Sequence, residues 1–212
     1  MARDGATGPP GPPRRIGRCE IVRQLGRGGQ GNVYEGRMIE DRPYAKVGER
    51  VAVKIFGVPE TAPGGVRDPR RVEEELWLGQ RVDHAAVMRV FEMGSEGEGE
   101  ALRQYLVMEY VPGTTLKERI RAEALLPEDE VRCIGVQLAS GLQAIHLHAL
   151  HRDVKPGNVI DTGENRVKLV DLGLACRLSG SNITTDNAPP GSLHYMAPER
   201  LTGAACGPRR SR

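Results

Sequence analysis

His151-Arg152-Asp153-Val154-Lys155-Pro156-Gly157-Asn158, with twelve residues between it and Asp171-Leu172-Gly173, is the stretch on which the reading of this chain turns. Two carboxylates and an amide, set after a helix-patterned segment and beside short strand-like pieces, supply a base and hard oxygen ligands for Mg2+. Asp153 is the residue to orient or deprotonate a hydroxyl nucleophile. Asn158 and Asp171 are oxygen donors for a metal that bridges phosphate oxygens, and Lys155 can neutralise charge developing on a transferred group.

Working outward, the segment before this stretch is helical. Glu128, Asp129 and Glu130 follow Pro127, which suits a first helical position, and acidic residues there complement the helix N-terminus. Val131, Ile134, Leu138, Leu142 and Ile145 recur every three or four residues and predict one buried helix face. Asn158 to Ile160 and Val167 to Val170 read as short strands. Upstream of Pro112-Gly113 the pattern is different. Glu20 to Leu25, Asn32 to Arg37, Arg50 to Phe56, Val87 to Met93 and Ala101 to Tyr110 are strand candidates. Arg70 to Val82 has apolar residues near helical spacing, and residues 59–68 read as a loop. A β-rich half followed by a helical half predicts two lobes, with the hinge near Pro112-Gly113.

Two further motifs lie in the β-rich half. Gly26-Arg27-Gly28-Gly29-Gln30-Gly31-Asn32-Val33 can bring backbone N–H groups close to a polyphosphate. By itself it fits a flexible hairpin turn equally well. It is bracketed by strands rather than followed by a helix, and lacks the Gly-Lys-Ser/Thr ending of a P-loop. Val51-Ala52-Val53-Lys54 sets a lysine in an apolar strand, where it needs a partner or a cleft; snorkelling from an edge strand is the structural alternative. Glu75, twenty-one residues on, is an acidic partner, although Glu73 and Glu74 stand beside it.

Composition excludes several classes. The 212 residues carry 30 Lys+Arg against 28 Asp+Glu, so a net charge of +2 gives no global attraction to nucleic acid. Aromatic residues make up 4% of the chain, too few for base-stacking platforms. No apolar run approaches the length of a membrane span. The four cysteines show no C-x-x-C pair, which fits free thiols in a reducing compartment, and this portion is read as cytoplasmic. His146 and His148, two apart on a helix, point to different faces, and together with His84 are read as structural rather than metal ligands.

Taken in order, GRGGQGNV, VAVK, HRDVKPGN, DLG and Ala197-Pro198-Glu199 resemble the landmarks of the eukaryotic-type protein kinases, in particular the Ser/Thr kinases of that type found in bacteria. The resemblance covers about residues 19–201. It implies an α+β, two-lobed fold, with a β-rich N-lobe and hinge over 19–111 and a helical C-lobe over 112–201. It also implies transfer of the γ-phosphoryl group of ATP, with Mg2+, to a protein Ser or Thr hydroxyl. Gly26, Gly28 and Gly31 then cover the phosphates, and Lys54 is the strand lysine. Glu75 is its helix partner, because its distance of nine residues to His84 matches the family's spacing. Gly79 falls where the family places an apolar spine residue. Either the helix is weakened there, or Glu74 is the partner and Leu78 fills the spine. Val33 and Ala52 roof the adenine and Ile160 lies beneath it. Met108 is the gatekeeper, and the backbones of Glu109 and Val111 hydrogen-bond the base. Asp153 is the catalytic base, Asn158 and Asp171 are the Mg2+ ligands, and Lys155 marks the Ser/Thr-specific pattern. Leu172 replaces the usual Phe. Thr184 or Thr185 is a candidate site of phosphorylation by the chain itself.

The ends read differently. Residues 1–18 include eight Gly or Pro with interspersed arginines and are expected to be a disordered tail; residues 202–212 are expected to be a frayed basic end. Thirteen residues follow Glu199, so the kinase domain is expected to stop before its C-lobe is complete. That leaves a second reading, a catalytically impaired nucleotide-binding or interaction module, or a gene fragment. A small-molecule phosphotransferase is disfavoured by Ala197-Pro198-Glu199 and the glycine pattern.

Overall fold

The computed structural model describes residues 14–28, 31–56, 69–98, 102–123, 125–173, 175–177 and 194–198. Expectations for residues 1–13, the loop at 59–68, Thr184, Thr185, Glu199 and residues 202–212 lie outside these. The chain forms two compact units, Met1–Asp68 with Met93–Tyr110, and Pro69–Glu92 with Val111–Arg212. This is the α+β class expected, a strand-rich unit and a helical one. Pro69–Glu92 groups with the second unit.

One sheet comprises β1 (Arg15–Ile16), β2 (Cys19–Gly28), β3 (Gly31–Met38), β4 (Arg50–Ile55), β5 (Val90–Glu96) and β6 (Arg103–Glu109), in the order β1-β2-β3-β4-β6-β5, all in the first unit except Val90–Glu92 at the start of β5. Chain neighbours pair antiparallel from β1 through β4, and β4 pairs antiparallel with β6. The Val-Ala-Val-Lys-Ile run of β4 is buried throughout, as a central strand requires. Strand structure begins before Cys19, inside the stretch expected to be a tail. Ile16 pairs with Cys19 and is 2% exposed, and Ile21 N donates to Arg14 O at 3.0 Å, so a buried apolar side chain and backbone hydrogen bonds together dock this segment.

The second unit contains α1 (Pro69–Gly79), β7 (Thr114–Thr115), α2 (Leu116–Glu123), α3 (Glu128–His146) and β8 (Ala149–Leu150). A single 3-10 turn, Pro156–Asn158, leads into β9 (Val159–Gly163), β10 (Arg166–Leu169) and β11 (Cys176–Arg177). β7, β9 and β10 form one small antiparallel sheet, β8 and β11 another. Thr115 and Glu118 close a capping box at α2: Glu118 N donates to Thr115 Oγ1 at 3.2 Å, and Glu118 Oε2 accepts from Thr115 N at 2.8 Å. Arg119 then joins three elements, meeting Glu123 on its own helix, Glu130 on α3 and Asp161 on β9.

α3 begins after Pro127, which caps the helix rather than starting it. Ile134, Gly141 and Ile145 are buried, but Val131 is 52% exposed, so the expected stripe is only partly covered. The reason lies in where the β9–β10 hairpin lands. Gln137 donates to Asn165 O at 2.7 Å and accepts from Val167 N at 3.2 Å, so cover begins beyond the first turn. Val87, expected in a strand with Met93, instead makes an isolated parallel bridge to Leu169, and β5 starts at Val90.

Gly79 has a steric reason for its place. A Cβ there would lie 2.2 Å from Val90 Cγ2, so the glycine lets the end of α1 pack against the start of β5. Gly79→Ala is expected to cost about 1–3 kcal/mol by overpacking, measured by denaturant unfolding. In the double variant with Val90→Ala, the two costs should total less than their sum.

Candidate active site

In the first unit, β2 runs on through Gly26 to Gly28, so the glycine motif forms the end of the β2–β3 hairpin, with Gly28 opposite Gly31. The glycines differ in what the fold demands of them. At Gly31 φ is +152° and a Cβ would stand 2.3 Å from the carbonyl oxygen of Ile55; at Gly26 it would meet nothing within 4 Å. Packing therefore requires Gly31, whereas Gly26 leaves open space beside backbone that an anion could approach.

Register aligns the other residues of this unit. Gly26 stands opposite Val33 and Val33 opposite Lys54, while Glu35 stands opposite Ala52 and Ala52 opposite Met108. Directly paired residues share a sheet face, so Val33, Ala52, Lys54 and Met108 line one side of three strands. Lys54 is 4% exposed, and its ammonium lies 5.1 Å from the centroid of the Phe56 ring. Glu109 ends β6.

In the second unit the loop from His151 to Asn158 gathers its polar groups on one carboxylate. Lys155 Nζ reaches Asp153 Oδ2 at 2.6 Å, and Asn158 Nδ2 donates to the same oxygen and to Asp153 O, each at 2.9 Å. Asp153 N donates to His151 Nδ1 at 3.3 Å. Asn158 is itself anchored, accepting from Val170 N at 2.8 Å through its carbonyl. Arg152 and Asp171 both take left-handed backbone conformations, φ 67°, uncommon for residues with a Cβ and kept only where surroundings fix them. Ile160 lies on β9, two residues from Asn158, and Val111 is buried at the start of this unit's second segment.

Of the three adjacent glutamates on α1, Glu75 is buried, Glu74 is half-buried and Glu73 exposed. Leu78 is buried as well, so burial of the acid at 75 and of a leucine at 78 occur together. Two of the histidines noted above, His84 and His148, have structural partners. His84 Nε2 is 2.9 Å from Ser140 Oγ and its Nδ1 accepts from Ala86 N, and His148 meets the edge of Trp77.

Mg2+ favours hard oxygen donors, and the residues present fit it. Asn158 spends its amide hydrogens on Asp153, which turns its Oδ1 to the acceptor role, and Asp171 adds a carboxylate. His151 went unassigned in the sequence, yet it positions Asp153 N. Its place two residues before Asp153 was the available signal.

His151 is 1% exposed, and burial pushes its imidazole down to about 4 against the attraction of Asp171 and Asp153. Its unfolded value, 6.5, is higher, so the unfolded chain takes up the proton first. The stability that neutral His151 contributes is complete above pH 6.5 and is lost as pH falls toward 4. Between pH 7 and 5 this one group should remove about 2 kcal/mol. Unfolding free energies measured across that range should slope accordingly, and His151→Phe should flatten the slope.

The protein kinase domain family model matches residues 19–210. The chain is 35% identical over 193 residues to a probable serine/threonine-protein kinase PknB of Lactococcus lactis, covering 88% of this chain and 28% of that protein. It is 34% identical over 192 residues to the serine/threonine-protein kinase PrkC of Bacillus subtilis, covering 90% and 28%. It is 31% identical over 197 residues to the serine/threonine-protein kinase PknA of Mycobacterium tuberculosis, covering 91% and 43%. The chain thus spans less than half the length of each of these relatives, and these matches, with the order of motifs along both units, show that it belongs to the protein kinase domain family.

Proposed function

We propose that this chain is the catalytic portion of a Ser/Thr protein kinase that transfers the γ-phosphoryl group of ATP to a protein hydroxyl. The observation that supports this best is the convergence of Lys155 and Asn158 on Asp153 Oδ2. With both donors on one oxygen, Asp153 Oδ1 is the acceptor for the proton of an incoming Ser or Thr hydroxyl. Lys155 holds a positive charge beside the same carboxylate, 2.6 Å away, where it can offset charge on the transferred group.

Asn158 and Asp171 would hold Mg2+, which when bound neutralises charge on the nucleotide's phosphate oxygens. Gly26, Gly28 and Gly31 present backbone to the phosphates, and Lys54 directs its ammonium to them. Glu75, the buried acid of its run, is the carboxylate that the family resemblance assigns to Lys54. Val33, Ala52 and Ile160 take the adenine by apolar contact, Met108 limits the depth of its site, and the backbones of Glu109 and Val111 read its edge. Thr184 and Thr185 are proposed acceptors within the chain. Among the described residues no helix is long and apolar enough to cross a membrane. We place this portion in the cytoplasm, which supplies ATP and keeps thiols such as Cys133 reduced.

Transfer of label from γ-labelled ATP to the chain or to a generic basic protein, in the presence of Mg2+, tests the proposal. Asp153→Asn should reduce it by about 10²- to 10⁴-fold and Lys54→Met by a comparable factor. Transfer by the unaltered chain no greater than by Asp153→Asn would refute the assignment.

A further inference from the structure

One group of charged side chains in the first unit has no role in the chemistry above. Glu35 stands two residues along β3 from Val33 and opposite Ala52 on β4, so it shares the sheet face of both. It is 5% exposed, and a buried carboxylate needs partners. Two arginines supply them. Arg23 Nε on β2 lies 2.9 Å from Glu35 Oε2, and Arg50 Nη1 on β4 lies 3.9 Å from Oε1.

Both arginines continue to the same aromatic residue. The guanidinium of Arg50 lies 4.4 Å from the centroid of the Tyr110 ring, and Arg23 Nη2 donates to the Tyr110 hydroxyl at 3.4 Å. The longer hydrogen bond is weak, so the stack of Arg50 on the ring is the stronger of the two links. Tyr110 directly follows Glu109, whose register partner is Val51 on β4. The four side chains therefore close a circuit from β2 and β3 through β4 to the residue just after β6.

We infer that Glu35, with Arg23 and Arg50, is a positioning residue for nucleotide recognition. It holds the two guanidiniums against Tyr110 and so fixes the backbone of Glu109 for the adenine edge. Without the carboxylate the arginines repel each other, Arg50 loses its hold over the ring and Arg23 its place at the hydroxyl, and the end of β6 gains backbone freedom that adenine binding must then remove. The effect should be confined to ligands that carry the base. This rests on the reading of Glu109 as part of the nucleotide site.

Calorimetric titration of the full chain with Mg2+–ADP and, separately, with Mg2+–tripolyphosphate tests it. Glu35→Gln should weaken ADP about tenfold, leaving tripolyphosphate within twofold of the unaltered chain. Tyr110→Leu should reproduce that pattern, the double variant should be no worse than either single one, and Tyr110→Phe, which keeps the stack, should lose less than threefold. Equal weakening of both ligands by Glu35→Gln, or an unchanged ADP affinity, would overturn the positioning role alone. Failure of the unaltered chain to bind ADP would overturn the nucleotide reading itself, and this inference with it.

Discussion

A carboxylate that accepts several hydrogen bonds at once fixes everything attached to it, and Asp153 is such a group. Its Oδ2 takes Lys155 and Asn158, its main-chain carbonyl takes Asn158 again, and its N–H is spent on His151 Nδ1. Asn158 carries the constraint onward by accepting from Val170 N, next to Asp171. Residues between His151 and Asp171 are thus held in one small volume, and the two hydrogen bonds that end on the carboxylate are of the stronger, charge-assisted kind. The left-handed backbones of Arg152 and Asp171 are tolerable in such a frame and costly outside it.

The surroundings of the loop keep that frame in place. Leu169 N donates to Ala86 O at 2.8 Å and its carbonyl accepts from Met88 N at 3.0 Å, stitching β10 to the segment after α1. Gly141 of α3 packs on the same segment, where a Cβ would come within 3.1 Å of Val87 Cγ2. On the other side Arg119 joins α2, α3 and β9 through three carboxylates. The β9–β10 hairpin, which carries Ile160, is therefore held through Leu169 on one strand and Asp161 on the other.

Much of this was legible in the chain, for identifiable reasons. The segments at 32–37 and 50–56 announce strands because alternation in the first and clustered Val and Ile in the second are local properties of the sequence. The loop at 151–158 is legible because its run of side chains resembles a landmark of the protein kinase family. Partner-dependent features were harder to see. Ile16 docks only because Cys19 lies across from it, and Gly79 makes sense only beside Val90. Val131 matches the helical period perfectly well, yet the β9–β10 hairpin reaches α3 further along. The group around Glu35 was invisible for a similar cause. Arg23, Glu35, Arg50 and Tyr110 are far apart in sequence, and none belongs to a motif. The capping box of Thr115 and Glu118, by contrast, carried its own four-residue signal and could have placed α2.

The central claim is that Asp153 acts on the proton of the acceptor hydroxyl and does not itself bind nucleotide. Asparagine keeps the shape of the side chain and can still accept from Lys155 and Asn158 through its carbonyl oxygen. The affinity of the Asp153→Asn chain for Mg2+–ADP, measured by calorimetry against the unaltered chain, tests that separation most directly. The account predicts dissociation constants within about threefold of each other. A loss of nucleotide affinity by a factor of a hundred would contradict it, because Asp153 would then be sustaining the site rather than performing the transfer.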